Sequence, residues 1–183
     1  MLTTNSKSKY EKIKKIIAHG INKKLKKHFW HRESDLPGHN FRLPNHLAIL
    51  GNNQLQRLEE FNNKRRKIAK IYDDFLTKFP EYFELQKVEK NFTHSYQMYT
   101  ILVKKNLRNN LLYFMKKNNI EASAHFDPPL HTQKYLKKFY KTNLKNTEKL
   151  SKEIATLPIY PSLKSRELKA ILKTIEKWCK KIK

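Results

Sequence analysis

The chain has 183 residues, with 40 Lys+Arg against 16 Asp+Glu, a formal charge of +24 and a pI near 10.0. Its 38% hydrophobic content suits one globular domain, while 3 Gly and 1 Cys exclude a Gly-rich phosphate loop, an intrachain disulfide framework and a Cys-based zinc cluster. No apolar run approaches the roughly 18 residues of a membrane span and no signal peptide follows Met1, so a soluble, cytoplasmic chain is expected.

The charge points first to nucleic acid or an anionic surface. The cations, however, are 33 Lys and 7 Arg, and Asn is abundant beside them. Bidentate recognition of phosphates and bases favours Arg, so the Lys and Asn excess reads as codon bias in an AT-rich genome. Nucleic acid is disfavoured as a partner, and a basic nucleic-acid- or anionic-surface-binding module stays as the alternative function.

Residues 6–20 read as a short amphipathic helix, with Tyr10, Ile13, Ile16 and Ile17 on one face and Gly20 as its C-terminal cap. Residues 22–35 lack periodicity and form a loop that mixes cations with Phe29, Trp30 and two histidines. Residues 44–79 carry Leu47, Leu50, Leu55, Leu58, Phe61, Ile68, Tyr72, Phe75 and Leu76 at helical spacing; Gly51 should kink this long helix and Pro80 end it. Residues 96–104 alternate, apolar on both faces, as in a buried strand. Asn106 then caps a helix bearing Leu111 and Met115, and 120–126 reads as a second strand turned by Asp127-Pro128-Pro129. Asn146 caps a helix bearing Leu150, Ile154 and Leu157, residues 157–161 are extended, and Ser165 caps a last helix with Leu168, Ile171, Ile175 and Trp178 inward. The expected class is α/β: a small sheet with helices packed on one face, plus the long helix on the N-terminal side.

The residues contain no complete catalytic constellation, and without Cys or local carboxylates the histidines make no metal set. Three polar segments fall at element boundaries: Gly38-His39-Asn40-Phe41-Arg42, His94-Ser95-Tyr96, and His125-Phe126-Asp127-Pro128-Pro129-Leu130-His131. Asn40 and Arg42 either cap the turn into the long helix or face a phosphate. His125 and His131 either satisfy their turn or hydrogen-bond a ligand. In 26–32, Trp30 either anchors a basic surface loop in the core or stacks on a nucleotide base.

In order and spacing these segments resemble the C-terminal part of the pyridoxal-phosphate-dependent sugar-nucleotide aminotransferases of the DegT/DnrJ/StrS type. The family's Gly-Tyr-Asn-Tyr-Arg-Met block, followed by a long helix, is similar to residues 38–43 followed by 44–79. Ala48-Ile49-Leu50-Gly51, His94-Ser95-Tyr96-Gln97-Met98-Tyr99, the 120–131 turn and Leu157-Pro158-Ile159-Tyr160-Pro161 match further blocks in the same order. Met1-Leu2-Thr3-Thr4-Asn5 is similar to the strand after the family's Gly-Glu-Gly-Gly loop, and Ala18-His19-Gly20-Ile21 to the turn beyond it. His39 and Phe41 replace the family's two tyrosines, which removes their hydroxyls.

The resemblance implies the small C-terminal lobe of a fold-type I aminotransferase. Residues 1–43 would be the end of the large cofactor domain with an interface loop, and 44–183 the C-terminal small domain. It implies pyridoxal phosphate as cofactor, a nucleotide-sugar substrate, and a homodimer or a complementing N-terminal fragment as partner. Asn40 would reach the cofactor phosphate of the partner subunit, and Arg42, His125, His131 and Trp30 would face the substrate. The family's Schiff-base lysine lies upstream of the matched blocks, so no catalytic residue is assigned and the chain alone is expected not to transaminate.

Overall fold

Ser6 starts the first helix, α1 (Lys7–Ile16): its Oγ accepts the Lys9 N–H at 3.4 Å, and Lys14 and Lys15 sit in the last turn, where cations suit the helix dipole. The computed structural model describes residues 2–25, 27–139 and 142–182, so Met1 and Lys26 of the segments quoted above lie outside it. The chain divides into two compact units, one running to Gln56 and one from Arg57 onward.

The first unit is organised by backbone contacts. Among its described residues only Gly20 is buried. After α1 the chain turns back through His19 (φ 63°) and Gly20 (φ 72°), both left-handed, a conformation that costs Gly20 little and that His19 adopts despite its Cβ. A single 3-10 turn follows at Lys23–Leu25. Isolated bridges pair Ala18 with Asn40 and Ile21 with Ser34, and helix α2 (Asn45–Gln56) closes the unit.

The long helix is broken, and not at Gly51. Helix α2 runs through Gly51 and stops at Gln56; Arg57 leaves the ladder, and α3 (Leu58–Leu76) begins beyond it. Glycine lowers helix propensity by about 1 kcal/mol but keeps every backbone hydrogen bond, so it does not by itself end a helix. Of the expected long helix only α3 buries side chains: Ile68, Ala69, Tyr72 and Leu76 face the core, whereas no residue of α2 is buried.

The second unit continues with strand β1 (Phe83–Leu85), strand β2 (Tyr99–Val103) and helix α4 (Arg108–Lys117). Two 3-10 turns, helix α5 (Lys145–Glu153), strand β3 (Ile154–Leu157) and helix α6 (Ser165–Lys181) complete it. The sheet has the order β1-β2-β3 and is antiparallel throughout, with Leu85 opposite Ile101 and Tyr99 opposite Leu157. Tyr99, Ile101 and Val103 of β2 are buried with the inward faces of α3, α4 and α6, while Thr100 and Leu102 on the other face are only half-buried. This is the expected α/β lobe with a small sheet and helices against one face. The strand is less symmetrically buried than its composition implied.

Three local expectations are corrected. The strand expected at 120–126 contracts to one bridge, Ser123 with Thr156. Ile154 and Leu157, read as the end of a helix, belong to β3: Pro158 follows, and a residue before proline is driven to extended backbone. The caps shift as well. Asn106 takes a left-handed φ of 57° ahead of α4, where Asn tolerates it, and the N–H of Lys164 is satisfied by Glu167 Oε2 at 2.8 Å before α6.

Three buried aromatic side chains of this core have partners for their polar atoms. Trp178, fully buried, donates from Nε1 to Asn110 Oδ1 at 2.7 Å; the Tyr72 hydroxyl donates to the Pro158 carbonyl at 2.8 Å; the Tyr99 hydroxyl donates to Asp73 Oδ1 at 2.5 Å. Burial pushes the Asp73 carboxyl above the usual carboxylate range, the Tyr99 hydrogen bond pulls the other way, and the neighbouring Asp74 charge raises it further. A raised acid contributes its stability at low pH and loses it as pH climbs through the folded-state value. Asp73→Asn keeps an acceptor for Tyr99 without the charge, so it should melt at or above the wild type near neutral pH, with the difference closing toward acid. Asp73→Ala should lose about 1–3 kcal/mol at either pH, because it strands a buried hydroxyl. Thermal melts at two pH values decide the matter: equal losses in both variants would refute this account.

Candidate functional site

In the first unit, the 38–42 segment is fixed by where two glycines meet. A Cβ on Gly38 would lie 2.0 Å from Gly20 N, and a Cβ on Gly20 would lie 1.8 Å from Leu36 O. This close crossing lets His39 N donate to Ile16 O (2.7 Å), His19 N to His39 O (3.0 Å) and Phe41 N to Ile17 O (3.0 Å). Asp35 locks the same crossing, receiving Lys15 Nζ at 2.6 Å and Asn22 Nδ2 at 2.7 Å. The Lys15 hydrogen bond is the main reason that the Asp35 carboxyl lies below its ordinary range.

On this frame Asn40 and Arg42 stand exposed and together. Arg42 Nε donates to Asn40 Oδ1 at 3.1 Å, which orients the amide so that both N–H groups of Asn40 remain available. The guanidinium edge of Arg42 is likewise unpaired with any described residue. Two neutral N–H groups on Asn40 beside the four N–H groups left on the Arg42 guanidinium suit a phosphate or carboxylate. His39 and Phe41, which stand where the family has tyrosines, stack on each other at 4.7 Å.

Trp30 is no core anchor. It is 64% exposed, stacked on His28 at 4.8 Å and edge-on to Phe29 at 4.5 Å, so it offers an aromatic face to solvent. The turn beneath it closes where His31 Nδ1 accepts the Lys27 N–H at 3.1 Å.

His125 and His131 belong to the second unit and have different surroundings. His125 Nδ1 lies 3.1 Å from Ser123 Oγ and 3.2 Å from Thr156 Oγ1, while its Nε2 meets no described residue. His131 is nearly enclosed, with 9% of its side chain exposed, and its Nε2 meets Glu148 Oε1 at 2.9 Å. That bond, reinforced by the Leu144 N–H, holds the Glu148 carboxyl below its usual range. His131 therefore ties the turn to α5 through Nε2, and His125 presents an Nε2 that meets no described residue. Between them Arg108, only 5% exposed, pairs with Asp127 at 2.5 Å.

Of the five residues singled out from sequence, only Asn40 and Arg42 are brought into contact. Four others that shape the sites were missed: Ser123, Thr156, Glu148 and Arg108. Thr156 was hidden by the misread β3. Nothing in the sequence separates Arg108 from the remaining cations except its place at the first turn of a helix.

Residues 1–176 match the DegT/DnrJ/EryC1/StrS aminotransferase family, and the chain belongs to it. This family depends on pyridoxal phosphate. The chain is similar to the UDP-4-amino-4,6-dideoxy-N-acetyl-beta-L-altrosamine transaminase of Campylobacter jejuni, 28% identical over 180 residues that cover 94% of this chain and 46% of the relative. It is also similar to the dTDP-3-amino-3,6-dideoxy-alpha-D-galactopyranose transaminase of Aneurinibacillus thermoaerophilus, 25% identical, covering 97% and 46%. Among solved structures, Helicobacter pylori PseC, an aminotransferase involved in the biosynthesis of pseudoaminic acid, superposes with a TM-score of 0.84 at 26% identity, covering 95% of this chain and 47% of that one. The chain spans about half the length of the curated relatives it matches. Among the described residues, no helix is long and apolar enough to cross a membrane.

The two structural glycines can be told from the third by substitution. Gly38→Ala should break the crossing, seen as loss of amide-exchange protection at His39 and Phe41. Gly51→Ala, where a Cβ meets nothing within 4 Å, should leave that protection intact and strengthen α2 by about 0.5–1 kcal/mol. Retained protection in Gly38→Ala would overturn the close-approach account.

Proposed function

We propose that these residues form the C-terminal lobe of a pyridoxal-phosphate-dependent sugar-nucleotide aminotransferase, which adds an amino group to a keto-sugar nucleotide for surface-polysaccharide synthesis. The supporting observation is the family match over residues 1–176 in a chain half as long as its relatives. In this reading residues 1–43 end the cofactor domain and form an interface loop, 44–183 form the small domain, and the protein works in the cytoplasm as a homodimer or with a complementing N-terminal fragment.

The fit to the cofactor is partial. Asn40 and Arg42 offer exposed donors that suit a phosphate, with Asn40 reaching the phosphate held by the partner subunit. The Schiff-base lysine and the carboxylate for the pyridine nitrogen belong to the part of the family pattern that precedes these residues, so no step of the reaction is derived. When bound, pyridoxal phosphate supplies the electron sink for amino transfer. This chain's own residues bind and orient: Arg42 and Asn40 at a phosphate, Trp30 at a base, and His125 at a sugar or diphosphate oxygen. His131 contributes by holding its turn on Glu148.

Incubation with pyridoxal phosphate followed by borohydride tests the assignment. The chain alone should show no stoichiometric lysine adduct, and turnover should appear only when a polypeptide carrying the family's lysine loop is added. In that complemented enzyme, Asn40→Ala should weaken cofactor retention roughly five- to tenfold, the equivalent of one hydrogen bond of about 1 kcal/mol or slightly more. A single trapped lysine with turnover in the unaided chain would refute the proposal.

A further inference from the structure

The turn that carries His125 is held at both ends. On one side Ser123 and Thr156 exchange two backbone hydrogen bonds, at 3.1 and 2.7 Å. On the other, Arg108 Nη2 meets Asp127 Oδ2 at 2.5 Å. Between these anchors Phe126 projects, 72% exposed, and His125 keeps its Nδ1 against two hydroxyls.

Stability alone gives Arg108 little reason to be there. Among the described residues its Nε is buried with no hydrogen-bond partner, and Asp127, its ionic partner, keeps 38% of its side chain exposed. Desolvating a guanidinium for a single half-solvated carboxylate is a poor exchange, and an apolar side chain of similar length is often neutral or better in such places. Helix α4 already buries Leu111 and Met115, so a methionine at 108 would extend an existing apolar face. What the charged side chain adds is direction: a guanidinium fixes where Asp127 must lie, and with it the path of the turn.

We propose that Arg108 is a positioning residue: its ion pair with Asp127, acting with the Ser123–Thr156 pairing, fixes the 123–127 turn so that His125 keeps Nδ1 on the two hydroxyls and leaves Nε2 for a ligand oxygen. In this arrangement Nδ1 accepts a hydroxyl proton from Ser123 or Thr156, which leaves the ring proton on Nε2 as the donor to a diphosphate or sugar oxygen. The opposite tautomer, with Nδ1–H donating to a hydroxyl, would make Nε2 an acceptor, and nitrogen-15 spectra of the ring separate the two. The ligand class rests on the reading under Proposed function; the positioning does not.

The test uses the full chain, as wild type, Arg108→Met, Arg108→Lys and Asp127→Asn. Nitrogen-15 spectra of the His125 ring report which nitrogen carries the proton, amide exchange reports the turn, and saturation-transfer NMR with uridine diphosphate reports binding. Arg108→Met should melt within a few degrees of the wild type, yet exchange at Ser123 should quicken by about tenfold or more, and the His125 ring signals should move toward the average of the two tautomers. Arg108→Lys should restore part of both, and Asp127→Asn, which preserves shape, should reproduce the Arg108→Met shift in weaker form. Uridine diphosphate binding should fall alongside. Unchanged His125 signals and exchange in folded Arg108→Met and Asp127→Asn would overturn the proposal. So would global unfolding of both, which would make the pair a stability element. If the wild type binds no uridine diphosphate but His125 still shifts in Arg108→Met, the functional reading fails and the positioning role stands.

Discussion

Burying β2 takes the hydroxyl of Tyr99 out of water, and it can stay there because Asp73 of α3 accepts its hydrogen bond at 2.5 Å. Much of the larger unit is aligned by that requirement. The neighbouring Tyr72 sends its own hydroxyl to the Pro158 carbonyl, just past β3, so adjacent residues of one helix are tied to the middle of the sheet and to one edge. Burial drives both tyrosine hydroxyls far above their ordinary range, which keeps them protonated and therefore donors at any physiological pH. With α3 fixed, Trp178 of α6 can close the far side of the core against Tyr82 and Phe83. The constraint reaches the candidate site as well, since β3 contributes Thr156 to His125.

The smaller unit is built on a different principle. None of its described side chains is buried, and its order comes from a close backbone crossing, a few backbone hydrogen bonds and the Lys15–Asp35–Asn22 cluster. Such a frame places the backbone of Asn40 and Arg42 by main-chain geometry, while their exposed side chains hold each other through the Arg42–Asn40 hydrogen bond. It leaves Phe41, Leu43, Ile49 and Leu55 more than 60% exposed.

How much of this was legible varies with the physics involved. Helices with a strongly one-sided apolar face, α3 and α6, could be read because burial leaves a 3.6-residue period in the sequence. Strand β3 could not, because Ile154 and Leu157 have a helix-like spacing and only the proline after them argues otherwise. Strand β1 is too short to leave a period at all. At the sites, Asn40 and Arg42 were visible because they sit in a family block beside a glycine. Thr156 and Glu148 were not, since each acts on a residue distant in sequence, and Ser123 was not, since its place beside His125 depends on a bridge to Thr156 whose register no local pattern carries. Arg108 was hidden among the other cations of a chain at +24. Its burial, not its charge, sets it apart.

The Gly20–Gly38 crossing makes two positions behave as one in mutational terms. Either added methyl group must push apart the same pair of strands of backbone, 19–20 against 36–38. Once one has done so, the second finds the space already opened, and the effects cannot add. The steric part of the two substitutions is therefore shared, while the left-handed φ of 72° at Gly20 keeps its own demand for glycine whatever stands at position 38.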